Sequence, residues 1–600
     1  MTNAEHKKSG SDEAGQTVHT MTGAEVLLQV LADLGVEVIF GYPGGAVLPI
    51  YDAIFQQDKI RHILTRHEQA AVHAAEAYAR STGKIGVALV TSGPGATNTV
   101  TGLVDALMDS IPIVCISGQV FSSLIGNDAF QEADTVGITR AATKFNYLVK
   151  DKEKLADKIR EAFYIAGSGR PGPVLVDIPK DLQLAQVPYV KKEIKSHPSY
   201  KPVTEPHYQA IKDAVTAMKK AKRPIFYTGG GIINAGPHAS EGLRKLVKLS
   251  GFPCTSTLMG LGAYPASDKQ FLGMLGMHGT YEANLATHGC DVLIALGARF
   301  DDRVTGSVKD FSPNALKIHA DIDPSQINKI VLVDIPVIGD VARIIELMIQ
   351  EWEAQSDNSV DQEALKNWWE QIEKWRAVDC LKYQQDTKAG EVIKPQHAIR
   401  RLSELVKEKG KEAYVSTEVG QHQMWTAQYF PFESPNHFMT SGGLGTMGYG
   451  LPAAVGIQVA HPDALVIDIA GEASTMMNIQ ELATIKQYRL PVKIFILNNR
   501  YMGMVRQWQE LIHGGRYSES YSESLPDFVK LAESFGLKGM RARTIDELDT
   551  MINAMLDEPG PVVMEIQVER EENCFPMIPA GAPHNQILLG PVKEKTKTAS

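Results

Sequence analysis

Two strand ends in the last third of the chain carry residue types that bind a hard cation and a phosphate. Residues 464–470 (Ala-Leu-Val-Ile-Asp-Ile-Ala) read as a buried strand, and Gly471-Glu472-Ala473-Ser474 follows it. A helix is expected over 477–487, then a strand over 492–497 that ends in Asn498-Asn499. In a parallel sheet the ends of neighbouring strands lie side by side, so an acid after one and an amide after the next converge. A carboxylate with an amide oxygen suits Mg²⁺. Backbone N–H groups at Gly471 and Ala473, near a helix start, suit a diphosphate. Alone, a glycine–acid turn is an ordinary tight turn; the Asn pair at this separation raises it to a candidate site.

Other residues could do chemistry too. Glu68 opens an alanine-rich helix after Ile63-Leu64-Thr65-Arg66-His67. It reads either as an acid favoured by the helix dipole or as a general base in apolar surroundings, where a carboxyl gains proton affinity. The segment 441–448 (Ser-Gly-Gly-Leu-Gly-Thr-Met-Gly) is glycine-dense, a flexible loop or a cofactor support. Gly229-Gly230-Gly231 follows the apolar run Ile225-Phe226-Tyr227 and would let a phosphate approach the backbone. Met504 and Trp508, at i and i+4, share one helix face, as core packing or as a wall of a site.

These residues need a scaffold of parallel sheets. Short, continuously apolar runs at 36–40, 86–90, 111–116 and 174–179, with helical spacing at 24–34 and 47–55, predict a first α/β unit. Residues 188–206 read as a linker. Runs at 224–227, 292–296 and 317–322 predict a second unit, a helical stretch over 350–385 bridges, and runs at 413–416, 464–469 and 492–497 predict a third. The fold class is therefore α/β with three successive doubly wound parallel-sheet domains. Residues 1–20 and 587–600 are expected as polar tails.

The formal net charge of −10 argues against a general nucleic-acid binder. Cys115, Cys254, Cys290, Cys380 and Cys574 are odd in number and widely spaced, which points to a reducing, cytoplasmic compartment without zinc or disulfides. No apolar stretch of signal-peptide or membrane-span length is found.

In this order, over about residues 21–580, the segments resemble the acetohydroxyacid synthase (acetolactate synthase) catalytic subunits, a branch of the thiamine-diphosphate enzymes. The resemblance implies a pyrimidine-binding domain at 21–190, a linker at 191–206, a central FAD-binding domain at 207–348, a helical linker at 349–392 and a diphosphate-binding domain at 393–586. It implies Mg²⁺ held by Glu472, Asn499 and the main-chain carbonyl of Tyr501, with Ala473 and Ser474 in the diphosphate turn. The family usually has Asp where Glu472 stands. Glu68 would bond N1′ of the aminopyrimidine and so promote loss of the thiazolium C2 proton. Gln421 and His422 would lie by the diphosphate, and Gly445, Thr446 and Met447 would support the cofactor. FAD contacts are implied at Arg170, Gly229, Gly230, Gly231, Met259, Gly260, Met277, His278, Gly279 and Thr280. They continue at Gly297, Ala298, Arg299, Phe300, Asp301, Asp321, Ile322, Asp340 and Val341; capping of strand ends is the plain alternative for Asp321 and Asp340. Phe130, Gln131 and Lys144 would line the substrate channel, Met504 and Trp508 would close over it, and Arg303 would bind the second keto acid's carboxylate.

The reaction so implied joins the two-carbon unit of decarboxylated pyruvate to pyruvate or 2-ketobutyrate, in branched-chain amino acid biosynthesis. The same fold serves pyruvate oxidase and keto-acid decarboxylases, and a silent homologue is a third reading. Arg303, Met504, Trp508 and the FAD segments favour the synthase. A homodimer or homotetramer with shared sites, and a small separate regulatory subunit, are also implied.

Overall fold

The computed structural model describes residues 9–11, 17–194, 196–355 and 360–591. Three six-stranded sheets follow one another, and every strand pairing within them is parallel. The first runs in the order Arg61–Leu64, Val38–Gly41, Gly86–Val90, Ile113–Gln119, Val174–Pro179, Phe145–Leu148. The second runs Phe271–Met274, Cys254–Ser256, Pro224–Thr228, Val292–Leu296, Leu316–Asp321, Ile335–Ile338. The third runs Phe438–Met439, Ala413–Thr417, Leu465–Gly471, Lys493–Asn498, Val562–Gln567, Lys538–Ala542. The central strands are buried along their whole length, as expected for a sheet covered by helices on both faces.

In each sheet the strand order reverses beside the first-formed strand. The crevices lie between Val38–Gly41 and Gly86–Val90, between Pro224–Thr228 and Val292–Leu296, and between Ala413–Thr417 and Leu465–Gly471. Such switch points are where open α/β sheets bind ligands. In all three, a glycine- or acid-bearing turn leaves the strand end.

The first and third sheets share a core. Helix Glu68–Thr82 packs on helix Gly450–Ala460 through Ala71, Ala74, Ala75, Leu451, Ala454 and Val455. The approach is so close that a Cβ on Gly456 would lie 2.0 Å from the Ala74 carbonyl oxygen. Alanine richness in the first helix is thus a packing requirement, since larger side chains would drive the two backbones apart.

Several elements differ from the expectation. Thr17–Thr22 is a strand that pairs antiparallel with Gln186–Tyr189, and Ser9–Ser11 pairs with it in turn, so part of the expected N-terminal tail joins a small sheet. Residues 1–8 and 12–16 lie outside the described residues. The helix expected over 477–487 starts later, at Glu481–Tyr488, after a one-turn helix Glu472–Thr475 and a 3₁₀ turn Met476–Asn478. The expected bridge consists of helices Val341–Ala354 and Gln362–Arg376; the latter buries Leu365, Trp368 and Ile372 in the central core, and the Trp368 indole N–H donates to the Pro224 carbonyl at 3.0 Å. Leu588 bridges to Met577, so the expected C-terminal tail begins as paired backbone, and 592–600 lie outside the described residues. Among the described residues no helix is long and apolar enough to cross a membrane.

Candidate active site

The corner at the end of Leu465–Gly471 is built around a buried acid. Glu472 is 1% exposed, and its Oε1 has no hydrogen-bond partner. Burial pushes its carboxyl up to about 8, opposed by backbone N–H groups of Glu472 itself and Asn499. An unpartnered buried carboxylate is costly, and a bound dication would both supply the partner and reverse that shift. Asn499 Oδ1 accepts from the Tyr501 N–H at 3.0 Å, and its Nδ2 lies 3.5 Å from Gln421 Oε1. Gln421 is fixed in turn by the Gln507 side chain at 3.0 Å and the Glu572 carbonyl at 2.9 Å. His422 packs against Gly471, where a Cβ would lie 2.9 Å from its Nδ1. Burial holds this imidazole down to about 3, so it is neutral, and its Nε2 is unpartnered. Ser474 turns inward to the Gly471 carbonyl at 3.2 Å, and Ala473 stands beside it in the same short turn. The Glu472 and Asn499 side-chain oxygens at this corner have the hard character that Mg²⁺ would require.

Glu68 is the first residue of its helix and half-buried, and its Oε2 accepts from Asn98 Nδ2 at 2.9 Å. A Cβ on Gly95 would lie 3.4 Å from Oε1, so the Gly93–Gly95 turn packs beside that oxygen. Gln131 adopts φ 62° and its carbonyl covers Gly93, which brings it to the same turn. Phe130 beside it is 88% exposed.

The large cavity, about 820 Å³, lies at the central sheet's switch point. Its floor is glycine. A Cβ on Gly229 would lie 2.3 Å from the Gly297 oxygen and one on Gly231 2.7 Å from the Gly297 Cα, while Gly297 itself has φ 61°. Arg170, Gly230, Met259, Met277, His278, Ala298, Arg299, Asp301, Asp321, Ile322, Asp340 and Val341 also line it. Arg299 pairs with Asp301 at 2.7 Å, and Arg170 with Asp323 at 3.3 Å. Asp340 caps helix Val341–Ala354 through the Ala342 and Arg343 N–H groups and also lines the cavity. Arg303, Met504 and Trp508 meet on the same cavity, with the guanidinium 5.9 Å from the Trp508 ring centroid. A glycine floor with arginines and aspartates around it fits a long ligand that carries phosphates and hydroxyls.

Other expected residues stand behind these walls. Phe300 is buried against Tyr227, Phe311 and His319. Thr280 caps helix Tyr281–Gly289, Gly279 packs on the Met274 carbonyl, and Gly260 packs on Ser256. Gly445 lines the cavity, whereas Thr446 is buried and Met447 half-buried beyond it. Lys144, expected on the substrate channel, instead donates to the carbonyls of Ile165 and Ser168 at the end of helix Leu155–Gly167, 4.8 Å from the Tyr200 ring centroid. Burial holds its amine down to about 7. Sequence reasoning missed Asp109, Ser110, Tyr227, Asn234 and Gln423, all of which line the cavity. The only signal available was the polar end of an otherwise apolar helix at 100–109.

Residues 21–138 match the family described as thiamine pyrophosphate enzyme, N-terminal TPP binding domain. Residues 211–348 match its central domain, and 418–566 its C-terminal TPP binding domain. The chain is 49% identical over 574 residues to the acetolactate synthase isozyme 3 large subunit of Escherichia coli, covering 95% of this chain and 98% of that protein. It is 49% identical over 579 residues to the acetolactate synthase large subunit of Haemophilus influenzae, covering 96% and 99%. It is 45% identical over 598 residues to the mitochondrial acetolactate synthase catalytic subunit of Saccharomyces cerevisiae, covering 96% and 85%. Identity of this order runs along nearly the whole chain, through all three sheets and their switch points, and the chain therefore belongs to the thiamine pyrophosphate enzyme family, among the acetolactate synthase large subunits.

Proposed function

We propose that the chain is an acetohydroxyacid synthase that decarboxylates pyruvate and joins the resulting two-carbon unit to a second 2-keto acid. The products are 2-acetolactate from pyruvate and 2-aceto-2-hydroxybutyrate from 2-ketobutyrate. The observation that carries this reading is the meeting of Arg303, Met504 and Trp508 on one cavity. Thiamine diphosphate, when bound, supplies the electron sink for the charge left by CO₂. Glu472, Asn499 and the Tyr501 carbonyl would hold Mg²⁺, and the glycine-floored cavity would hold FAD. Glu68 would hold and return a proton at its carboxyl oxygen, Arg303 would grip the acceptor's carboxylate, and the Met504 and Trp508 wall would keep water out. Glu68 and Glu472 both lie off the large cavity, and we read the thiamine site as formed between two copies, Glu68 of one facing Glu472 of the other. A C₂ dimer is the default for such a shared site, with a tetramer as its extension. A small regulatory subunit and a cytoplasmic location belong to the same reading; the five free cysteines fit a reducing compartment.

The test is a product assay with pyruvate, with and without 2-ketobutyrate. Formation of acetaldehyde or acetate alone, with neither acetohydroxy acid, would remove the synthase reading. In the same assay Trp508→Leu should lower the ratio of 2-aceto-2-hydroxybutyrate to 2-acetolactate. A methylene packed on the indole is worth about 0.8 kcal/mol, so the ratio should fall about 4-fold or somewhat more. An unchanged ratio would place the selecting pocket elsewhere. Gly231→Val should melt below wild type and lose flavin absorbance, because the added side chain strikes the Gly297 backbone and displaces the cavity floor; a yellow variant with wild-type flavin content would mean the flavin lies elsewhere.

A further inference from the structure

The glycine-dense loop 441–448 runs between the two proposed cofactor sites. Ser441 to Gly445 line the large cavity, and Met447 follows two residues later. A Gly-Gly-Leu-Gly run has little of its own to fix its shape. Its ends are tied within the third unit, the Ser441 carbonyl accepting from Gln423 Nε2 at 3.0 Å and the Gly448 N–H donating to Glu418 Oε2 at 2.6 Å; its glycine pair is held from helix Val100–Asp109, more than 330 residues earlier in the chain. The Gly442 N–H donates to Asp109 Oδ2 at 2.9 Å, and the Gly443 N–H to Asp109 Oδ1 at 2.7 Å. The Ser441 hydroxyl donates to Asp105 Oδ1 at 2.9 Å and accepts from the Thr446 N–H at 2.8 Å, which closes the loop on itself. The two aspartates are at i and i+4 and share one helix face.

The end of this helix also reaches the central sheet. Met108, Asp109 and Ser110 line the cavity. The Ser110 hydroxyl accepts from Arg170 Nε at 2.8 Å, and its carbonyl accepts from Asn234 Nδ2 at 3.1 Å. Residues 105–110 are therefore bonded to all three α/β units.

We propose that Asp105 and Asp109 are positioning residues that set the loop 441–448, Asp109 for the flavin cavity and Asp105 for the Met447 end. This rests on the reading of the cavity as the FAD site and of Met447 as the thiamine support. Both Asp109 oxygens accept from successive backbone N–H groups, a charge-assisted pair with no neutral equivalent. Asn at 109 keeps one acceptor oxygen and points an NH₂ at the other N–H, so one bond is lost and a repulsive contact replaces it. The other side of the contact is as tight: a Cβ on Gly443 would lie 2.7 Å from Asp109 Oδ1 and 2.8 Å from the Met108 Cβ.

The test is titration of the flavin-depleted full chain with FAD, followed by flavin fluorescence, together with kcat and KM for pyruvate at saturating FAD. Asp109→Asn should raise the FAD Kd about 10- to 100-fold, the scale of one charge-assisted bond. Gly443→Ala, which leaves the carboxylate intact, should do the same, and the double variant should cost less than the two effects combined. Asp105→Ala, which removes the acceptor of the Ser441 hydroxyl, should leave FAD affinity within about 3-fold and lower kcat at unchanged KM, because that hydroxyl in turn holds the Thr446 N–H just before Met447. Should Asp109→Asn melt below the assay temperature, Gly443→Ala carries the same comparison. A wild-type chain that binds FAD while both variants bind it equally well overturns the clamp alone. A wild-type chain that binds no FAD overturns the flavin reading and the clamp together.

Discussion

Glu472→Ala should abolish cofactor-dependent turnover at ordinary Mg²⁺ concentrations and weaken Mg²⁺ binding by more than about 100-fold. Changes to groups that merely orient a metal ligand cost about 10- to 100-fold, and this change removes the ligand itself. The remaining donors, the Asn499 side chain and the Tyr501 carbonyl, are neutral, and a hard dication held by neutral oxygens alone binds poorly. The same carboxylate predicts a pH effect on the metal-free protein. Burial raises its folded-state value from 4.5 to about 8. The unfolded chain therefore releases this proton first, and the stability the acid form contributes is full below pH 4.5 and lost as pH rises to about 8. Thermal melts of metal-free protein across that window should show a decline that is absent in Glu472→Gln and reversed in the wild type by Mg²⁺. Equal Mg²⁺ affinity in wild type and Glu472→Ala would remove the metal assignment. Glu472→Asp should bind Mg²⁺ with at least comparable affinity.

How much of this could be read before the structure follows from how local each signal is. The three sheets were legible because a strand buried on both faces must be apolar throughout, and such runs stand out as at residues 86–90 and 292–296. Glu472 and Asn499 were legible because both follow a strand end directly, and parallel neighbours bring their ends together. The glycines at 229–231 were read as room for a phosphate, and the packing of Gly229 and Gly231 on the Gly297 backbone was not legible, because it joins turns more than 60 residues apart. What stayed hidden depends on partners distant in sequence. Thr17–Thr22 is polar and becomes a strand only by pairing with Gln186–Tyr189. Asp105 and Asp109 carry no local motif, since their bonds are to residues 441–443. Lys144 was placed by resemblance on the substrate channel, yet here its ammonium is taken up by the unsatisfied carbonyls of a helix end, an outlet that composition does not reveal. The expected helix over 477–487 starts late because the turn after Glu472 tightens into 3₁₀ geometry, where the Asn478 amide donates to the Gly448 carbonyl at 2.6 Å.

Glu68→Gln should slow exchange of the cofactor's C2 proton by about 10²- to 10⁴-fold, the range for loss of a general acid–base group. Glutamine keeps the size of the side chain and its bond to Asn98 but cannot take up a proton. The folded state should therefore be unchanged, and melting curves that coincide with wild type would separate the chemical defect from a structural one. The measurement is NMR of C2 deuterium exchange in quenched samples. Exchange at wild-type speed would reduce Glu68 to an acid favoured at a helix start. The same variant tests the shared site without a structure of the assembly. If Glu68 of one copy serves Glu472 of the other, a heterodimer of Glu68→Gln and Glu472→Ala chains holds one doubly altered site and one intact site. Two nearly inactive proteins, unfolded and refolded together in equal amounts, should then recover roughly a quarter of wild-type activity, since half the dimers are mixed and each has one working site of two. If each chain carries its own complete site, every site in the mixture has one lesion, and activity stays at the level of the separate variants.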